Sequence, residues 1–147
     1  MLEHYKVRRI ESIEEKKEII IKCDNAFEKS IAERDNFDDL LNKIHRAAIF
    51  VAACGNDVYG YAAMYANDYR NKEAYITLFA VRPDMKRMRV GSNLLKACVD
   101  IALEQGMKAI KLEVRNNNST AIQFYKSNGF EYEKACSQES IYMCRRL

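Results

Sequence analysis

The chain has 147 residues, 48% of them apolar and 31% charged, with a net charge of +3. These values describe one ordinary globular domain over residues 1–147, and they exclude a disordered chain and a strongly basic nucleic-acid-binding surface. The sequence shows no basic-then-apolar leader and no apolar run near the roughly 20 residues needed to span a bilayer, so the expectation is a cytoplasmic protein with no membrane partner.

In chain order, loose alternation over residues 4–10 predicts a first strand. Ile19, Ile20, Cys23, Ala26, Phe27 and Ile31 recur at helical spacing, which predicts a helix within residues 13–33 that buries one stripe. Asn36 is placed to cap a second, short helix through Leu40, Leu41 and Ile44. Residues 48–53 and 58–66, joined by the turn signal Gly55-Asn56-Asp57, read as an antiparallel hairpin. A polar turn over residues 67–72 leads to a further strand at 74–81. A basic loop around Pro83 follows, the only proline in the chain. From Val90 the set Leu94, Leu95, Cys98, Val99 and Ala102 predicts an amphipathic helix ending near Gly106. Residues 109–114 read as a strand, 119–127 as a helix stopped by Asn128-Gly129, and 130–132 and 141–144 as closing strands. The order predicts an α+β or mixed α/β fold with helices on both faces of one sheet.

Five cysteines, Cys23, Cys54, Cys98, Cys136 and Cys144, are widely spaced without a C-x-x-C pair, and there are only two histidines. That pattern suits neither a disulfide framework nor a metal site, so no metal is expected and the thiols read as reduced core residues.

The segment RPDMKRMRVGS, residues 82–92, lies between a strand and a helix. A loop that enters a helix presents main-chain N–H groups without intrahelical acceptors at the positive end of the helix dipole. Small residues such as Gly91 and Ser92 let a phosphate approach them, and Arg82, Lys86, Arg87 and Arg89 add positive charge. The same charges also fit a solvated surface turn.

Residues 76–130 resemble the GNAT superfamily of acyl-CoA-dependent N-acetyltransferases. The strand ITLFAV at 76–81, Arg82-Pro83, KRMRVGS at 86–92 and Leu94-Leu95 resemble its strand, pyrophosphate loop and helix. LEVR at 112–115, Asn118, Ala121, Phe124-Tyr125 and Asn128-Gly129-Phe130 are similar to its second half. The resemblance implies a mixed, largely antiparallel central sheet of about six to seven strands with helices on both faces. It also implies acetyl-CoA as co-substrate, an amine as acceptor, and direct attack of that amine on the thioester. A homodimer is left open.

By the same resemblance, main-chain groups of Phe79, Ala80 and Val81 pair with the pantetheine arm, and Lys86, Arg87, Met88, Arg89, Val90, Gly91 and Ser92 cradle the pyrophosphate. Asn118 bonds the pantetheine or simply caps its helix. Tyr125 protonates the leaving thiolate, or packs with Phe124 under the sheet. Glu113 is the candidate base, with Glu73, Asp68 or a water relay as rivals. The chain departs from the family pattern at Arg89, which stands where the loop usually has its first glycine. An arginine there costs of order 1–2 kcal/mol if that position requires positive φ. The acceptor region, about residues 23–46, carries Asp24, Glu28, Glu33, Asp35, Asp38 and Asp39, which suit a cationic amine or a solvated helical face. A non-catalytic acyl-CoA-binding sensor or assembly subunit is the alternative reading.

Overall fold

Among the described residues, seven strands and four α-helices follow in the order β1 (Lys6–Arg9), α1 (Ile13–Lys22), α2 (Phe37–Ala47), β2 (Ile49–Cys54), β3 (Val58–Asp68), β4 (Glu73–Val81), α3 (Val90–Glu104), β5 (Ala109–Arg115), α4 (Ser119–Ser127), β6 (Glu131–Ala135) and β7 (Ser140–Arg146). The computed structural model describes residues 4–147, and the side chains of Lys86 and Arg87 fall outside the described residues. The strands hydrogen-bond in the order β1-β2-β3-β4-β5-β7-β6. β1–β2, β2–β3, β5–β7 and β6–β7 are antiparallel, while β4 pairs β5 in parallel. The expected mixed, largely antiparallel sheet is therefore present. The chain falls into two compact units, one running to Met64 and including Leu78–Cys98, the other Tyr65–Thr77 with Val99–Leu147.

In the first unit, α1 starts where Ser12 accepts a hydrogen bond from the Glu15 N–H at 3.2 Å, with Glu14 and Glu15 at the positive end of the helix dipole. Ile19, Ile20 and Cys23 pack with Leu41 and Ile44 of α2 and with Phe50, Ala52, Tyr61 and Ala63 of β2 and β3. The rings of Phe50 and Tyr61 stack at 5.1 Å. On the opposite face of β3, Gly60 lies under Leu94 of α3 and the main chain of Ala80 and Val81. This unit thus carries helices on both sheet faces.

The expected long helix over residues 13–33 stops at Lys22. Asp24 ends it: its carboxylate accepts the Ser30 hydroxyl and the N–H groups of Ile31 and Ala32, a local alternative to helical bonding. Of the predicted stripe, Ile19, Ile20, Cys23 and Ile31 are buried, the last entering the core from the loop, and Ala26 and Phe27 are half-buried. Asn36 holds the N-cap position of α2, but its side chain makes no capping bond.

In the second unit, burial alternates along the second half of β5, with Leu112 and Val114 buried and Glu113 and Arg115 exposed. β7 lies beside it with Glu113 opposite Tyr142 and Arg115 opposite Ser140. α3 ends at Glu104, and Gly106, with φ of +79°, turns the chain away two residues later. β6 covers residues 131–135 rather than the expected 130–132, since pairing with β7 continues through Ala135.

Candidate active site

In the first unit, β4 leads into a 3-10 turn over Pro83–Met88 and then into α3. Arg89 joins the two with φ 59° and ψ 25°, the left-handed conformation that glycine adopts without cost. Its carbonyl accepts the Asn93 N–H at 3.0 Å, so α3 starts from that left-handed residue. Val90 and Gly91 are buried and Ser92 is half-buried. The N–H groups of the first helical turn have no intrahelical acceptors. The predicted residues Met88 to Ser92 therefore form one continuous main-chain turn, and the backbone of Lys86 and Arg87 belongs to the 3-10 turn before it.

Arg82 belongs to the scaffold of this loop rather than to its free charge. Its guanidinium bonds Asp57 at 3.1 Å, Asp84 at 2.9 Å and the Val58 carbonyl at 3.1 Å, while its N–H bonds the Tyr59 carbonyl at 2.8 Å. Just before it, Ala80 is buried and Phe79 and Val81 are half-buried. The register of β4 with β5 runs over Glu73–Tyr75, whereas β4 itself extends to Val81.

In the second unit, Glu113 is exposed and accepts a hydrogen bond from the Ser140 hydroxyl at 2.6 Å. Ser140 itself is 3% exposed and also meets Ser137 at 3.2 Å. The Tyr75 phenol is pushed up to about 12, mainly by burial and further by the negative charge of Glu113. Lys111 pairs with Glu133 at 2.8 Å and sits 5.2 Å from the centroid of the Tyr142 ring. Its ammonium pKa is raised, first by the hydrogen bond to Glu133.

The rival bases line one cleft of about 240 Å³ with Tyr65, Asn67, Ala74, Tyr75 and Lys111. Asp68 is spent on the β3–β4 turn, where it accepts the N–H and side-chain amide of Asn71 at 3.0 and 3.1 Å. Those bonds, the main-chain one first, hold its carboxyl below the usual range and make it a weak base. Glu73 lies 3.9 Å from Lys111.

Tyr125 is buried, with ring contacts to Phe124 at 5.4 Å and to Phe130 at 5.6 Å. Asn118 caps α4, its side chain accepting the Ala121 N–H at 3.1 Å. Ser140, Tyr75 and Tyr142 carry no motif of their own; only the β5–β7 register brings Ser140 and Tyr142 to Glu113. Among the described residues no three His, Cys, Asp or Glu side chains cluster as metal ligands, and no helix is long and apolar enough to cross a membrane. Asp24, counted among the acidic residues of the acceptor region, is instead committed to the loop after α1.

The chain is 40% identical over 58 residues to an alanine N-acetyltransferase of a ribosomal protein in Escherichia coli, covering 40% of this chain and 39% of that protein. It is 30% identical over 111 residues to an uncharacterized N-acetyltransferase of Methanocaldococcus jannaschii, covering 73% and 49% of the two chains. It thus spans less than half the length of these curated relatives. The crystal structure of the PaiA N-acetyltransferase of Thermoplasma acidophilum, in complex with coenzyme A, superposes with a TM-score of 0.82 at 21% identity, covering 98% of this chain and 99% of that one. At that identity the likeness is one of fold. The family model described as Acetyltransferase (GNAT) family matches residues 13–130, most of the chain, and the protein belongs to that family.

Proposed function

We propose that this protein moves the acetyl group of acetyl-CoA onto a primary amine, with residues 1–147 acting as one cytoplasmic N-acetyltransferase domain. The observation that carries the reading is the left-handed Arg89 two residues before the buried Gly91. It gives the loop a glycine-type bend without the glycine, and the first turn of α3 then offers main-chain donors to a pyrophosphate. Family membership over residues 13–130 supports the donor and the reaction class.

In this reading main-chain groups of Phe79, Ala80 and Val81 hold the pantetheine arm by strand addition. The loop from Lys86 to Ser92 holds the pyrophosphate. Asn118 orders the start of α4 and meets the pantetheine. Glu113 takes a proton from the acceptor ammonium, directly or through water, and the Ser140 hydroxyl keeps that carboxylate oriented. The neutral amine attacks the thioester carbonyl, the C–S bond breaks and Tyr125 gives its proton to the departing thiolate. The surplus proton on the attacking nitrogen leaves through water and returns to the Tyr125 phenolate, so the amide and the free thiol are both neutral. Main-chain N–H groups of β4 stabilise the developing oxyanion. No enzyme nucleophile takes part.

One observation favours the sensor reading instead: Tyr125 is buried between Phe124 and Phe130, as a packing residue would be. Calorimetric titration of acetyl-CoA into wild type and Gly91→Trp tests the cradle. Binding by wild type that is lost in the folded variant supports the proposal. A folded wild type that binds no acetyl-CoA sinks it.

A further inference from the structure

Arg89 holds a left-handed backbone conformation that is unfavourable for a non-glycine residue and persists where the surroundings hold it. A residue from the far end of the sequence bonds the chain on both sides of it. Tyr5, just ahead of β1, donates its hydroxyl to the Met88 carbonyl at 2.8 Å and accepts the side-chain amide of Asn93 at 2.6 Å. One oxygen thus ties the residue before Arg89 to the first full turn of α3. Between those two points the chain has little freedom, because the Arg89 carbonyl is itself bonded to the Asn93 N–H. The Tyr5 ring is fixed in turn by an edge contact to Tyr59 at 5.7 Å, and the Tyr59 carbonyl accepts the N–H of Arg82 at the other end of the loop. Both ends of the loop are therefore anchored through neighbouring residues of one unit.

We propose that Tyr5 is a positioning residue for the coenzyme: its hydroxyl holds the loop from Met88 to Asn93 in the left-handed, phosphate-receiving bend that Arg89 would otherwise relax. The proposal rests on the reading of this loop as the pyrophosphate cradle. It also explains how a chain that lacks the usual loop glycine keeps the cradle shaped. Tyr5 touches neither the acetyl group nor the amine in this account, so its removal weakens coenzyme binding and leaves the chemical step alone.

The test is a double-mutant cycle of Tyr5→Phe and Arg89→Gly, read by coenzyme A calorimetry and steady-state kinetics, with amide hydrogen exchange over residues 88–93 in the free protein. Tyr5→Phe keeps the ring on Tyr59 and removes only the two hydrogen bonds. The expected result is coenzyme affinity about fivefold weaker, the value of one net hydrogen bond, with KM for acetyl-CoA raised to match and kcat within about twofold. Exchange at residues 90–93 rises by a similar factor. In the Arg89→Gly background the same Tyr5→Phe change has less than half that effect, because glycine adopts the bend unaided. Asn93→Ala, which removes one arm of the tie, shifts affinity in the same direction by a smaller factor. Unchanged affinity and exchange in Tyr5→Phe, an equal loss in both backgrounds, or a fall in kcat without a change in KM overturns the proposal. Wild type that binds no coenzyme A sinks the cradle reading instead, and exchange in the free protein still reports whether Tyr5 holds the bend.

Discussion

Gly60→Ala puts the packing under the coenzyme strand to a quantitative test. A Cβ built at Gly60 lies 2.6 Å from the Ala80 carbonyl oxygen and 3.2 Å from both the Leu94 Cδ1 and the Val81 Cα. Real Cβ atoms essentially never approach within 3.0 Å, and the first obstacle is main chain rather than a movable side-chain tip. The strand end at Ala80–Val81 must therefore shift by several tenths of an ångström. Overpacking of this kind costs roughly 1–3 kcal/mol, which for a chain of this size lowers Tm by ~3–10 °C. Because the displaced groups are those assigned to the pantetheine arm, KM for acetyl-CoA rises as well. Thermal unfolding followed by circular dichroism, with coenzyme titration alongside, reads both effects. Gly106→Ala is the control, since its Cβ would meet nothing within 4 Å and only its φ of +79° is strained. Gly106→Ala should lower Tm without touching coenzyme affinity. A Gly60→Ala protein with Tm within about 1 °C of wild type and unchanged KM refutes the close approach of β3, β4 and α3 argued here.

Other expectations follow from the same geometry. Glu113→Gln lowers kcat by about 10²–10⁴ if the carboxylate is the base, with little change in acetyl-CoA affinity. Ser140→Ala removes the 2.6 Å hydrogen bond that orients the Glu113 carboxylate, so kcat falls by about fivefold with little change in KM for acetyl-CoA; an unchanged kcat would separate Ser140 from catalysis. Cys23 and Cys98 are buried and both thiols are pushed up to about 12 by desolvation. Their protonated forms are favoured in the folded state, so the stability they contribute is complete below pH ~8.5 and is lost as pH rises toward 12; both thiols label only on unfolding. Burial acts to raise the Asp24 carboxyl, but its hydrogen bonds from Ser30, Ile31 and Ala32 outweigh that and hold it below its ordinary value. Asp24→Ala therefore destabilises at neutral pH by about 1–3 kcal/mol, and the gap to wild type closes as pH falls below ~4.

Elements whose signals are local were legible in the sequence. α4 runs over Ser119–Ser127 as its cap at Asn118 and its stop at Asn128-Gly129 indicate. The strand at 109–114 was legible as well, and the period of two that follows from the pleat puts Glu113 on the face opposite Leu112 and Val114. Where α1 ends was not legible. The stripe through Phe27 and Ile31 fits a helix as well as a buried loop, and the deciding bonds run from Asp24 to residues six to eight positions later. The family's usual glycine at the Arg89 position raised positive φ there only as a condition, and the residue does adopt it, with φ 59°. The surroundings of the site were hidden for a different reason. Ser140 reaches Glu113 only through strand register, and Tyr5 reaches Met88 across 83 residues of sequence, a contact no local pattern encodes.

The most direct test of the central claim is transfer itself: release of coenzyme A thiol from acetyl-CoA by the wild-type protein in the presence of a pooled panel of primary amines, with mass spectrometry of the amines in the same reaction. The account predicts thiol release that depends on amine, matched by an equal amount of acetylated amine, and abolished in Gly91→Trp. Tight acetyl-CoA binding with no amine-dependent thiol release across small amines and peptide amino termini would contradict it.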